Sequence, residues 1–208
     1  DTRLNLADVY YQLARESLDA KNQTAYVEYL AKAQAEVLEA VRIDPTSPRP
    51  HTWLGIITAY QGDLDSSETS FKNALRLNLA ERMELRAGTD YSNIAHISVY
   101  QGKLGDARRY LDKGVKNGAP QDEIDRISVL AAWKANDMVE ARDVFNSAIV
   151  LSPAFGATWD GAPLPQPMTT FDDFAATCCS NPTCGPYMEG ACKRSKQNIV
   201  RREVDLDT

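Results

Sequence analysis

Thiol chemistry is the one reactive chemistry that this chain concentrates. Its four cysteines, Cys178, Cys179, Cys184 and Cys192, fall within 15 of 208 positions, and the other 193 residues contain none. The spacing C-C-x4-C-x7-C lacks the paired C-x2-C knuckles of structural zinc sites. It does not match iron–sulfur spacing either. A bridge between the adjacent Cys178 and Cys179 is strained. Two disulfides are therefore expected, either 178–184 with 179–192 or 178–192 with 179–184; a metal site and free thiols stand as the alternatives. Paired in this way, the cysteines pin a short tail that has little core of its own and place the chain outside the reducing cytosol.

Other chemistry finds little support. The only histidines, His51 and His96, lie far apart with no serine or cysteine motif beside them, so spacing assembles no nucleophile–base pair. Neither a Gly-rich phosphate loop nor H-E-x-x-H occurs. Asp63, Asp65 and Glu68 follow a turn, and Asp122 and Glu123 read as a helix start, where carboxylates favour the N-terminal end of the helix dipole. The expectation is a protein that is not an enzyme and carries no cofactor or metal. A net charge of −6 argues against nucleic-acid binding. No apolar run reaches 18 residues, so no transmembrane segment is expected.

The elements that position these residues are helical and recur. Gly62 has counterparts at Gly102 and Asn136, spaced by 40 and then 34 residues. At equal offsets from these turns stand Leu54, Gly55, Phe71 and Ala74, then Ile94, Ala95, Leu111 and Gly114, then Ser128, Val129, Phe145 and Ala148. Five residues past each turn a small residue recurs, Ser67, Ala107 and Ala141, which lets two helices approach closely. An earlier copy has Ala33, Val37 and Ala40 and ends at Pro45; the later ends are Leu79, Ala119 and Pro153. Prolines 45, 48 and 50 stop one helix and suit the first turn of the next. No strand-like alternation of useful length precedes residue 153.

These positions resemble the tetratricopeptide repeat, W-x2-L-G-x2-Y followed by G, A, F, A and a closing P. The resemblance covers about four copies over residues 4–153. It implies an all-α, right-handed superhelical solenoid of helical hairpins over 1–153; the change of composition after Pro153 marks an irregular Cys-rich tail over 154–208. Three departures stand out. The first copy has no glycine turn, and residues 19–24 read as a longer loop between longer helices. About six extra residues fall between 79 and 89, with a break expected at 86–90 and an N-cap at Thr89 or Asp90. His51, Tyr91 and Asp125 replace the usual first aromatic, and Trp53 sits two positions out of register.

The resemblance further implies a concave groove lined by the first helix of each hairpin: Thr52, Ile56 and Ala59, then Ser92, His96 and Val99, then Arg126, Leu130 and Trp133. Tyr60, Tyr100 and Lys134 lie just beyond. Of the positions with which some members grip a peptide carboxylate, here Thr52, Ile56, Asn93, Glu123 and Ile127, only Asn93 matches. The expected partner is a protein or peptide in this groove, and Ile56, Leu130 and Trp133 read equally well as packing between helices. Tyr10, Tyr11, Tyr26 and Tyr29 are read as core.

Beyond Pro153 lie a turn-rich linker over 157–167, a capped helix start at 170–174, the cysteines, and a polar helix through Arg201 and Arg202. The tail resembles no family. The functional expectation is a protein-binding scaffold or assembly factor of a bacterial cell envelope. Its expected location is periplasmic or extracellular, with a lipid anchor through a removed leader as one form. The alternative is a structural subunit of an envelope assembly whose tail contacts its neighbours. Mass spectrometry of the unreduced chain is expected to show four hydrogens fewer than the reduced chain; an unchanged mass with zinc bound would exclude the disulfides.

Overall fold

The computed structural model describes residues 2–20 and 22–135, and residues 137, 140, 143 and 144. The four cysteines, the 154–208 tail, Asn136, Ala141, Phe145, Ala148, Pro153 and the side chain of Trp133 lie outside the described residues. The chain divides into two units, Asp1–Ile127 and Ser128–Thr208. In the first lie α1 (Thr2–Asp19), α2 (Gln23–Ile43), α3 (Pro48–Tyr60), α4 (Leu64–Ala80), α5 (Glu84–Tyr100) and α6 (Leu104–Lys116); α7 (Gln121–Lys134) begins there and ends in the second. No strand occurs among the described residues. The expectation of an all-helical chain is met at this level.

One backbone device closes most of these helices. The N–H of the second residue past the helix-ending position reaches back five residues: Asn22 to Ser17 O, Asp63 to Thr58 O, Met83 to Asn78 O, Lys103 to Ser98 O, and Ala119 to Gly114 O, at 2.8–2.9 Å. In the second unit, Asp137 to Ala132 O repeats it at 2.9 Å. This 6→1 bond requires a left-handed residue before its donor. Gly62, Gly102 and Gly118 supply φ of 84°, 75° and 75°, and Arg82 supplies 57° without being glycine. Asn22 and Asp63 then cap the following helices, their side chains accepting from Ala25 N at 3.1 Å and Ser66 N at 3.0 Å. The α2–α3 connection differs. There Asp44 accepts from Thr46 N, Thr46 Oγ1 and Ser47 N, and Pro48 opens α3.

Two expectations fail here. Residues 19–24 are no longer loop, because α2 already starts at Gln23 and Asn22 makes the common closure. The break expected at 86–90 is also absent. The turn lies at 81–83, Arg82 taking the left-handed conformation, and residues 86–90 are inside α5. The extra residues therefore lengthen a helix. Gly88 is a packing glycine: a Cβ there would stand 2.6 Å from Asn117 O, in the turn after α6.

Consecutive helices pack on each other along the first unit. Leu4, Ala7, Ala33, Val37, Ala40 and Ile57 form one buried cluster, with Tyr10, Trp53 and Leu54 against it. Tyr26 is buried and donates to Tyr60 O at 2.7 Å, while Tyr11 meets Tyr60 and Trp53 edge-on. Tyr10 and Tyr29 are partly buried and stack under Lys32. Between α3 and α4, the Phe71 ring lies over Gly55, and Ser67 Oγ donates to Gly55 O at 2.7 Å. Ala95, Ala107 and Leu111 are buried at the matching positions of α5 and α6. Polar links tie each pair to the one before it: Gln61 to Gln34, Gln101 to Asp65, and Lys103 to Glu68.

A Cβ at Gly55 would stand 2.7 Å from the Phe71 ring, whereas one at Gly105 in α6 meets nothing within 4 Å. Gly55→Ala is therefore expected to destabilise by about 1–3 kcal/mol. Gly105→Ala should stabilise by about 0.5 kcal/mol through helix propensity. Urea unfolding followed by circular dichroism distinguishes them, and equal midpoints would contradict the packing.

Candidate functional site

A pocket of about 280 Å³ opens between α3 and α5. Helical spacing explains its walls. Pro48, Arg49, Thr52 and Trp53 share one face of α3, Arg86, Thr89 and Asp90 share one face of α5, and Asn78 enters from the last turn of α4. The α4–α5 closure onto Asn78 O holds that residue in place.

The floor is buried and polar. Asp90 and Asn78 are each 2% exposed. Asn78 Nδ2 donates to Asp90 Oδ2 at 2.6 Å, and Thr52 Oγ1 reaches Asp90 Oδ1 at 3.4 Å. Burial pushes the Asp90 carboxyl up to about 6 in spite of these two bonds. Asn78 Oδ1 is buried and has no donor among the described residues. The mouth is cationic. Arg49 and Arg86 are exposed and make no hydrogen bond or ion pair among the described residues. Both stand in the first turn of their helices, where the dipole also favours negative charge. Trp53 supplies an aromatic wall.

The groove residues expected from sequence divide. Thr52 lines the pocket. Ile56, one turn further along α3, and Asn93 on α5 are partly buried. Tyr60 and Ser92 are core residues, 4% and 0% exposed, and offer no surface to a partner: Tyr60 packs on Tyr11, and Ser92 donates to Gly88 O. His96 is partly buried beside Tyr100, with ring centroids 5.1 Å apart. Desolvation lowers its pKa to about 4 and keeps the imidazole neutral at neutral pH, while burial raises Tyr100. Arg126 is partly buried and lies 3.6 Å from Asp122. Its neighbour Glu123 is pushed up to about 7 by burial and by the Asp122 charge. Leu130 is partly buried and Lys134 exposed, both beyond Ile127 in the second unit.

Seven of the eight pocket residues lie outside the expected set, and for most of them the cause is recognisable. The break expected at 86–90 conceals Arg86, Thr89 and Asp90, and Trp53 reads as out of register with the repeat. Arg49, at i−4 from Trp53, was the available signal for the shared face of α3. Asn78 gave none, because its role depends on the distant Asp90. The sequence matches no family model and no curated protein.

Asp90 makes stability pH-dependent with a definite sign. Its folded pKa of about 6 lies above the ordinary 3.8, so between these values the native state keeps a proton that the unfolded chain has lost. Its contribution therefore falls as pH rises through that window, by about 3 kcal/mol in total. Asp63 and Glu68 act oppositely, their pKa values being lowered. Asp90→Asn keeps the shape without the charge, and its stability relative to the parent is expected to rise from pH 4 to pH 7. Urea melts across that range test this, and a constant difference would refute it.

Proposed function

We propose that this chain is a non-catalytic, tetratricopeptide-like binding module that holds a segment of a partner protein on the face formed by α3 and α5. The α3/α5 pocket carries this reading. It is an open cleft between alternate helices, with a tryptophan wall and two arginines that have no hydrogen-bond or ion-pair partner among the described residues. Such a surface suits an extended segment anchored by a few polar contacts.

Three further observations support the repeat part of the reading. The same 6→1 closure ends successive helices. Gly55, Ser67 and Phe71 interlock at the positions where the repeat has its small and large residues. Buried Ala95, Ala107 and Leu111 follow at the same offsets. Stacking of such pairs into a right-handed solenoid is part of the proposal. The clustered cysteines add a setting outside the reducing cytosol, in keeping with a scaffold or assembly factor of a cell envelope.

The test is photo-crosslinking in the native complex. A photoreactive residue placed at Ile56 or Thr89 is expected to capture the partner, and the same probe at Arg109 on α6 is not. Arg49→Glu combined with Arg86→Glu should abolish co-purification while leaving the helical circular dichroism intact. Crosslinks confined to α2, α4 and α6 would remove the proposed face.

A further inference from the structure

The floor and the mouth of the α3/α5 pocket make opposite electrostatic demands. At the floor, the Asp90 carboxylate has hydrogen-bond partners in Asn78 and Thr52 but no ion pair with a lysine, arginine or histidine among the described residues. A carboxylate buried to this degree is unfavourable without a compensating cation. Beside it, Asn78 turns its amide nitrogen to the carboxylate, the orientation in which that 2.6 Å contact is a hydrogen bond to the ionised form. Its oxygen is thereby left as a buried acceptor with no donor among the described residues. The Thr52 hydroxyl is shared between Asp90 Oδ1 and Pro48 O, at 3.4 Å to each, and holds neither tightly. Acceptors of this kind fit a positively charged N–H donor.

At the mouth the demand is for an anion. Arg49 and Arg86 present two planar guanidinium groups with no acceptor among the described residues, in a chain whose net charge is −6. Each projects from the first turn of a helix, and two helix N-terminal ends add to the same field. Acceptors within and cations at the rim of one pocket are complementary to a ligand carrying both an ammonium and a carboxylate. The pocket volume of about 280 Å³ lies just under the range of pockets for drug-sized ligands, which suits a single amino acid.

We propose that the α3/α5 pocket binds the zwitterion of an α-amino acid. Its ammonium group donates to Asn78 Oδ1 and Asp90, its carboxylate lies against Arg49 and Arg86, and its side chain packs on Trp53. Entry turns the Thr52 hydroxyl away from Asp90 towards Pro48 O. The same pair of charges also occurs where a lysine precedes an acidic residue in a protein segment, so a free amino acid and such a segment are two sources of one ligand chemistry. The inference extends beyond protein docking and stands even if no protein partner uses this face.

The test uses the full chain in thermal-shift and titration-calorimetry measurements with L-alanine, L-leucine, L-lysine and L-glutamate, each to about 10 mM. At least one is expected to raise the melting temperature, and its N-acetyl and carboxamide derivatives are not. Asp90→Asn, and separately Arg49→Ala with Arg86→Ala, should each weaken binding by about tenfold or more, with unchanged circular dichroism. If the free amino acids are inert but acetyl-Gly-Lys-Glu-Gly-amide gives an Asp90-dependent shift, the chemistry stands and a protein segment supplies it. No response to any probe overturns the proposal. So does an equal response to the N-acetyl forms or an equal response of the Asp90→Asn variant. Crosslinking at Ile56 and Thr89 reports on protein docking separately, so failure of one idea is distinguishable from failure of the other.

Discussion

A helix ends with carbonyls that have lost their partners, and in this chain one backbone bond deals with that problem again and again. Reaching back five residues, it satisfies an orphan carbonyl and reverses the chain within three or four residues. The reversal is what lets each helix lie against the next, since connections this short leave few other placements. Gly62, Gly102 and Gly118 meet the left-handed requirement without strain, and Arg82 meets it against its preference. From this closure follow the sites where side chains meet: Phe71 over Gly55, and α5 passing the turn after α6 at Gly88.

The parts of the fold legible in the sequence are those set by local chemistry. Gly62 and Gly102 announce their turns, Asp63 its cap, and the prolines at 48 and 50 the start of α3. Small residues at 67 and 107 announce close helix contacts. The errors arose where a local signal had a non-local cause. Gly88 looks like a breaker, yet it lies within α5 because another turn passes too near for a side chain. Arg82 carries no mark of the turn it makes. Residues 19–24 look loose without glycine, yet Asn22 closes the helix as well as glycine-bearing turns do.

The pocket was less legible for a related reason. Polar residues at helical spacing read as a solvated face, and only packing reveals that Asp90 and Asn78 are among the most buried residues of α5 and α4. Burial converts an ordinary aspartate into one with a pKa of about 6 and turns an ordinary asparagine oxygen into an unsatisfied acceptor. A buried polar pair left partly satisfied contrasts with Ser67, Ser98 and Thr58, which all have hydrogen-bond partners, and is one of few buried polar sites, with Gln101 and Arg126, where an atom lacks one among the described residues. Such exceptions concentrate at sites kept for something other than stability.

The polar links between neighbouring pairs have a mechanical meaning. Glu68 is shared by Lys72 on its own helix and Lys103 from the next pair, and Gln101 reaches across to Asp65. These contacts lie at the surface, where dissolved ions weaken charged attractions, whereas the Gly55–Phe71 contact is buried and apolar. Ionic strength therefore acts on this joint, and on the exposed Arg3–Glu36 pair between α1 and α2, but not on the buried Gly55–Phe71 contact. The hold of α4 on the turn between α5 and α6 thus depends in part on the surrounding electrolyte.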